Sequence, residues 1–430
     1  MSRLAQRHAS RRRRLIGGLV AAVAIVAGAC SSGTATTDAS VVSTTEVPAT
    51  STRPGTTADA ASPGTTAGSA AGGDQAAVEA EVATLSAFVE QQRGLEFKEP
   101  VPVHLAEGQE FEDLLFATVT DEDWEDVADE GVVLEALGLV PPGTDMRAAL
   151  TNLLGAGVLG FYDTETNELV IRGAELDLLT RNTMVHELTH ALDDQHFELS
   201  RPELATATDE SGFTFTAVAE GSARHVETAW QQTLTPEERK ARERAELDQG
   251  MEQVDRLLQV PQIMLDTMIA PYTLGQRFVD DIVETDGQQA LNDAFVTLPS
   301  TTEQIMDPDK YRAGETAKPV PAPTAEGEVL DEGIIGQHVT ALLLGDEVPG
   351  RVARTAAEGW GGDRFVAWRS ADGKACMAAT WVMDTPDDGD ELRTALDEWA
   401  AGTPADATVT VVDPSTVSIR SCAARAGATG

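Results

Sequence analysis

His186, Glu187 and His190 are the residues of this chain whose spacing most directly implies chemistry. They stand in Met184-Val-His-Glu-Leu-Thr-His-Ala-Leu-Asp-Asp-Gln-His-Phe197 as an HExxH pattern within a helix-forming frame. Residues four apart share a helix face, so both imidazoles can reach one metal ion with Glu187 beside them. With 7 histidines in 430 residues, chance gives this pattern in about one such chain per hundred. The expected ion is Zn2+, with Glu187 as general base toward a water molecule. The plain alternative is two surface histidines and a solvated glutamate that share a helix.

A catalytic zinc needs a third protein ligand, and three residues compete for that place. His196 lies six residues after His190, the metzincin spacing, but Asp193 stands where that pattern has glycine. If the helix continues, His196 points roughly 120° away from the His190 face. Glu210 is twenty residues beyond His190, the thermolysin-like separation, yet it lacks the flanking asparagine and downstream aspartate and sits at an expected helix N-terminus. Glu220 is embedded in Phe213-Thr-Phe-Thr-Ala-Val-Ala-Glu-Gly-Ser-Ala223. A carboxylate in such a setting is costly unless a cation compensates it. Glu220 is the favoured ligand and Glu210 stays open; the competing role for Glu220 is an i,i+4 pair with Arg224. Gly221, Ser222 and Ala223 would let the two helices approach closely.

An oxyanion needs a donor. The candidates are Tyr162, Tyr272, Tyr311 and His225, and Tyr272, in Ala270-Pro-Tyr-Thr-Leu-Gly275, is chosen. Asp193 and Asp194, three and four residues past His190, could orient the imidazoles. His104 and His338 read as structural.

These residues need elements to hold them. Val78–Arg93 has helical spacing, Val101–Leu105 reads as a strand, Phe111–Val119 and Val132–Leu139 read as helical or mixed segments, and Met146–Leu154 reads as a helix. Val158–Arg172 reads as a β-hairpin whose edge, above the HExxH helix, could pair with an extended peptide. Thr180 is expected to cap the HExxH helix and Asp209 the next one. From about Ala325 helices are expected at Ile334–Leu344 and Glu391–Ala400, with strands at Phe365–Arg369, Cys376–Met383, Thr408–Val412 and Thr416–Ser421. Gly359–Arg364 is expected to be a tight turn. The expected fold is α+β: a core over 76–324, with a mixed sheet and two ligand helices, carrying a C-terminal α+β lobe over 325–430.

The N-terminus reads as an export signal. Arg3, Arg7 and Arg11 to Arg14 precede an apolar run, Leu15 to Ala29, that ends in small residues before Cys30. The run is shorter than the about 20 residues of a membrane span. Ala27-Gly28-Ala29 before Cys30 resembles a bacterial lipobox, so residues 1–29 are expected to leave and Cys30 to carry a lipid anchor, with plain secretion as the alternative. Ser10-Arg11-Arg12 leaves the Sec and twin-arginine routes both open. Residues 30–75 are read as a Ser/Thr/Ala/Gly/Pro tether.

The formal net charge is -40. Without the six leading arginines, about 25 basic residues face 71 acidic ones, a net of about -46. That balance excludes nucleic acid as a partner and leaves the lipid as the only membrane contact; a monomer is expected. Cys376 and Cys422, an even pair in an exported chain, are expected to form a disulfide.

Four segments together are more specific than HExxH: His186–Phe197, the Ala-x-x-Glu-Gly stretch continuing to Ala223, Ser300-Thr-Thr-Glu-Gln-Ile-Met-Asp-Pro-Asp-Lys-Tyr311 and Gly359-Trp-Gly-Gly-Asp-Arg364. Over roughly Leu85 to Val412 the chain resembles a little-characterised family of exported bacterial gluzincin-type lipoproteins. The resemblance implies a zincin-like core, zinc, and Glu220 as third ligand. Asp307 departs from the pattern, which has histidine before the proline. The implied function is a cell-surface zinc-dependent peptidase acting on peptide or protein substrates; the alternative is a non-catalytic exported binding lipoprotein that retains the fold.

Overall fold

Helix boundaries follow local capping chemistry. The computed structural model describes residues 71–205 and 210–424; the export signal, Cys30, the tether up to residue 70 and Asp209 lie outside the described residues. Helix α1 (Ala71–Arg93) begins inside the segment read as tether. Strand β1 (Val103–Ala106) and helices α2 (Gly108–Leu115), α3 (Asp121–Leu137) and α4 (Met146–Gly157) follow. The start of α3 is set by a capping box between Thr120 and Asp123, which moves this helix upstream of the Val132 start read from its apolar residues.

Strands β2 (Gly160–Asp163) and β3 (Glu168–Arg172) form the hairpin. Asp163 Oδ1 accepts from the Glu165 N–H in its turn, and Asn167 takes a φ of 58°. β1 runs parallel to β3 and β2 antiparallel to it, in the order β1-β3-β2, so β2 is an edge. A Cβ on Gly160 would collide with Thr183 and Ile171; glycine there lets the edge strand lie directly on helix α5 (Leu178–Phe197). Asp177, and not Thr180, caps α5: its side chain accepts from the Thr180 N–H at 2.8 Å.

After the short helix α6 (Pro202–Ala205) comes α7 (Ser211–Thr233), then α8 (Pro236–Leu257), α9 (Gln262–Asp286), α10 (Gln288–Val296), α11 (Thr302–Met306) and α12 (Pro308–Ala313). α5, α7 and α9 build the main core with Leu188, Ala191, Val218, Phe278 and Val279. Gly221 on α7 faces Gly275 on α9, and a Cβ on either would strike the other helix's backbone. The small residues foreseen for contact with the HExxH helix thus serve α9 in the case of Gly221, while Ser222 turns toward α5.

The C-terminal part contains β4 (Glu328–Gly333), α13 (Gly336–Gly345), α14 (Gly350–Ala357), β5 (Trp360–Arg369), β6 (Ala375–Met383), α15 (Pro386–Gly402), β7 (Asp406–Asp413) and β8 (Thr416–Cys422). The five strands form an antiparallel sheet ordered β4-β5-β6-β8-β7. Cys376 and Cys422 stand opposite each other on β6 and β8 and form a disulfide. The chain is therefore α+β with two separate sheets.

One reading is corrected here. Gly359–Arg364 is not a free turn: only Gly359 has the left-handed φ, 72°, and β5 starts at Trp360. Asp363 then accepts from the Ile335 and Gly336 N–H groups, both at 2.8 Å, and from Trp360 Nε1. The segment holds the start of α13. Val133, Ala136 and Leu137 of α3 pack with Trp381, Leu396 and Val417 of the C-terminal part. Among the described residues no helix is long and apolar enough to cross a membrane.

Candidate metal centre

α5 brings His186 and His190 to one face, and α7 lays Glu220 across from them. His186 Nε2 is 3.1 Å from His190 Nε2 and 3.1 Å from Glu220 Oε2, and His190 Nε2 is 3.4 Å from the same oxygen. All three side chains are at most 2% exposed.

This triangle fits a metal ion on its donor chemistry. His186 Nδ1 lies 3.0 Å from Glu227 Oε2; a carboxylate only accepts, so the proton of that bond is on Nδ1. Nε2 then faces a second acceptor, Glu220, and a positive species must lie between them, either a further proton or an ion. Four ligands arranged tetrahedrally at about 2.0–2.1 Å from zinc are about 3.3 Å apart, close to the separations found.

The electrostatics couple His186 to the two carboxylates beside it. Burial pulls the His186 imidazole down, but hydrogen bonds to Glu220 and Glu227 outweigh it and raise its pKa to about 10. Burial pushes Glu220 up, but His190 and His186 hold it at about 2. Glu187 is fully buried; no full-geometry hydrogen bond reaches either carboxylate oxygen, and the Tyr162 backbone N–H on β2 is the donor turned toward it. Burial raises its pKa well above the ordinary carboxylate value, with Glu220 and Glu227 adding to the rise against His186.

Tyr272 lies with its ring 6.1 Å from that of His186, at an interplanar angle of 27°. The other donor candidates sit elsewhere. Tyr162 Oη is 2.9 Å from Asn167 Oδ1 and 3.0 Å from Asp194 Oδ2, Tyr311 donates to the Thr297 carbonyl, and His225 pairs with Asp280.

The rival ligands are also placed away from the histidine pair. His196 Nε2 donates to the Glu96 carbonyl. Glu210 is buried at the start of α7 and accepts from the Thr302 N–H at 3.0 Å. Arg224 pairs with Glu227, not Glu220. His104 meets Glu110 at the surface, and His338 lies against Phe213. Asp307 caps α12 through the Asp309 N–H.

Neither of the aspartates expected to orient an imidazole does so. Asp193 accepts from Arg93 Nε at 2.9 Å and Nη2 at 2.6 Å and from Ser222 Oγ at 2.6 Å. Asp194 accepts from the Leu199 N–H besides facing Tyr162. Glu227 was not foreseen. Its signal was present: seven residues beyond Glu220 on a helix is the same face. A second carboxylate group, Glu303, Glu315 and Asp384, surrounds the Lys310 ammonium at 2.5, 2.9 and 3.1 Å and is satisfied by it.

Residues 324–429 match a family described as a domain of unknown function (DUF8575). The matched stretch covers the five-stranded sheet and its helices, and α5, α7 and the histidine triangle lie outside it. No curated protein and no solved structure matches the chain.

Proposed function

We propose that the chain is an exported zinc-dependent peptidase with a zincin-like core, in which His186, His190 and Glu220 hold the ion. The observation that carries the reading is the triangle of three buried donor atoms 3.1 to 3.4 Å apart, with the buried carboxylate of Glu187 on the same helix as the two histidines. A zinc ion in that triangle would supply Lewis-acid polarisation of the scissile carbonyl and of a water molecule. Glu187 takes the water's proton on a carboxylate oxygen and returns it to the leaving amine nitrogen. Tyr272, against the His186 ring, is the assigned donor to the oxyanion. An extended substrate would add to the edge of β2, which lies on α5. Anchoring through Cys30 would hold the enzyme at the outer face of the cell membrane, as a monomer.

The test is peptide cleavage by the purified zinc-loaded chain beside Glu187→Gln. Hydrolysis lost in Glu187→Gln with zinc retained supports the reading; cleavage unchanged by the substitution refutes it. A second reading, an exported binding protein with a structural metal, draws on the near-complete burial of all four residues, since structural sites are closed. It predicts full zinc occupancy and no cleavage by either form.

A further inference from the structure

The two histidines of the triangle are held differently. His190 Nδ1 is buried and meets no hydrogen-bond partner. His186 Nδ1 faces Glu227 Oε2 at 3.0 Å. Glu227 is itself fixed: its Oε1 accepts from Asn182 Nδ2 at 2.9 Å, Arg224 Nη1 at 2.7 Å and Gln231 Nε2 at 2.8 Å. Gln231 Nε2 also donates to Asn182 Oδ1 at 2.8 Å. α5 contributes Asn182 and His186 to this cradle, and α7 contributes Arg224, Glu227 and Gln231.

Four donors converge on one fully buried carboxylate, and a guanidinium among them compensates its charge. Such a group has little freedom to rotate, and an ionised carboxylate has no proton to give. Its bond to His186 is therefore directional in one sense only.

We propose that Glu227 is the positioning residue of the centre: it keeps a proton on His186 Nδ1 and thereby reserves Nε2 for the ion shared with His190 and Glu220. His186 is the ligand whose ring is set in advance, whereas His190 is oriented by packing alone. The proposal rests on the metal reading of the site. Removing a group that orients a metal-bound imidazole lowers metal affinity by about 10- to 100-fold.

The test uses the full chain with 15N-labelled histidine, zinc-loaded, and measures both the ring N–H signals by NMR and zinc affinity by chelator competition. His186→Ala assigns the His186 signals. Wild type should show a hydrogen-bonded, slowly exchanging Nδ1–H on His186. Glu227→Met, close in volume but without an acceptor, should lose that signal and about 10- to 100-fold in affinity. Glu227→Gln retains an acceptor oxygen, so it should keep the signal and lose less. A role in packing alone would leave the Met variant at wild-type affinity with the signal intact, which overturns the proposal. If the Met variant does not fold, wild type and Glu227→Gln still decide: a His186 proton on Nε2 in wild type, or loss of the signal in the Gln variant, overturns it. Absence of zinc binding by wild type would instead remove the metal reading itself.

Discussion

At the scale of single residues, the proposed ligands and the proposed proton carrier should fail differently when replaced. Glu187→Gln should retain stoichiometric zinc and lose about 10²- to 10⁴-fold in hydrolysis rate, read by elemental analysis and peptide turnover on one preparation. Glu220→Ala should lower zinc affinity by more than about 100-fold, while Glu210→Ala and His196→Ala leave it near wild type, because their partners are Thr302 and Glu96. Tyr272→Phe should lower kcat by about 10²- to 10³-fold with KM little changed; equal kcat would remove Tyr272 from the mechanism. The residues that converge were legible to different degrees. His186, Glu187 and His190 form one contiguous pattern, and Glu220 was marked by its apolar surroundings. Arg93 could not be read, since it meets Asp193 across 100 residues of sequence and no local pattern encodes such a distance.

At the scale of elements, α5, α7 and α9 set the geometry. Gly275→Ala should push α9 off α7, because the added carbon would strike the Ala217 backbone; a loss of about 1–3 kcal/mol is expected in chemical denaturation. Arg93→Ala strands the fully buried Asp193 carboxylate and should cost about 3–5 kcal/mol. Helix type was read for α1, α4, α5 and α7 from apolar spacing, but α8 was not foreseen although its Thr235–Glu238 capping box stands in the sequence. The readings failed where polar residues face the interior. In α5, Asn182, Thr183, Glu187 and Thr189 are buried along with Val185 and Leu188, so the helix has no solvent face from Asn182 to Asp193, and the stripe expected from its apolar residues captured only part of its buried surface. Gly361 and Gly362 misled in the other direction. They look like turn residues, but they lie in β5 because Lys318 passes too close to admit side chains.

At the scale of the whole molecule, α3 joins the two parts of the chain, and its buried acids make that junction sensitive to pH. Burial raises Glu130 on α3 to about 8, and burial reinforced by Glu130, Asp129 and Asp126 raises Asp331 on β4 to about 8. A carboxyl with a raised folded pKa contributes stability that is fully present below its unfolded value and is lost as pH rises through the folded value. Here that window runs from about 4 to about 8. The melting temperature should fall across it, and the fall should be smaller in Glu130→Gln combined with Asp331→Asn; parallel curves for the two proteins would contradict the assignment. Local sequence carries no sign of this junction, because α3 lies far upstream of the five-stranded sheet and shares its core only through folding. The metal centre is tested most directly by zinc stoichiometry in the purified full chain. One zinc per wild-type chain, lost in His186→Ala and in His190→Ala, is the predicted result; equal zinc content in wild type and both variants would contradict it.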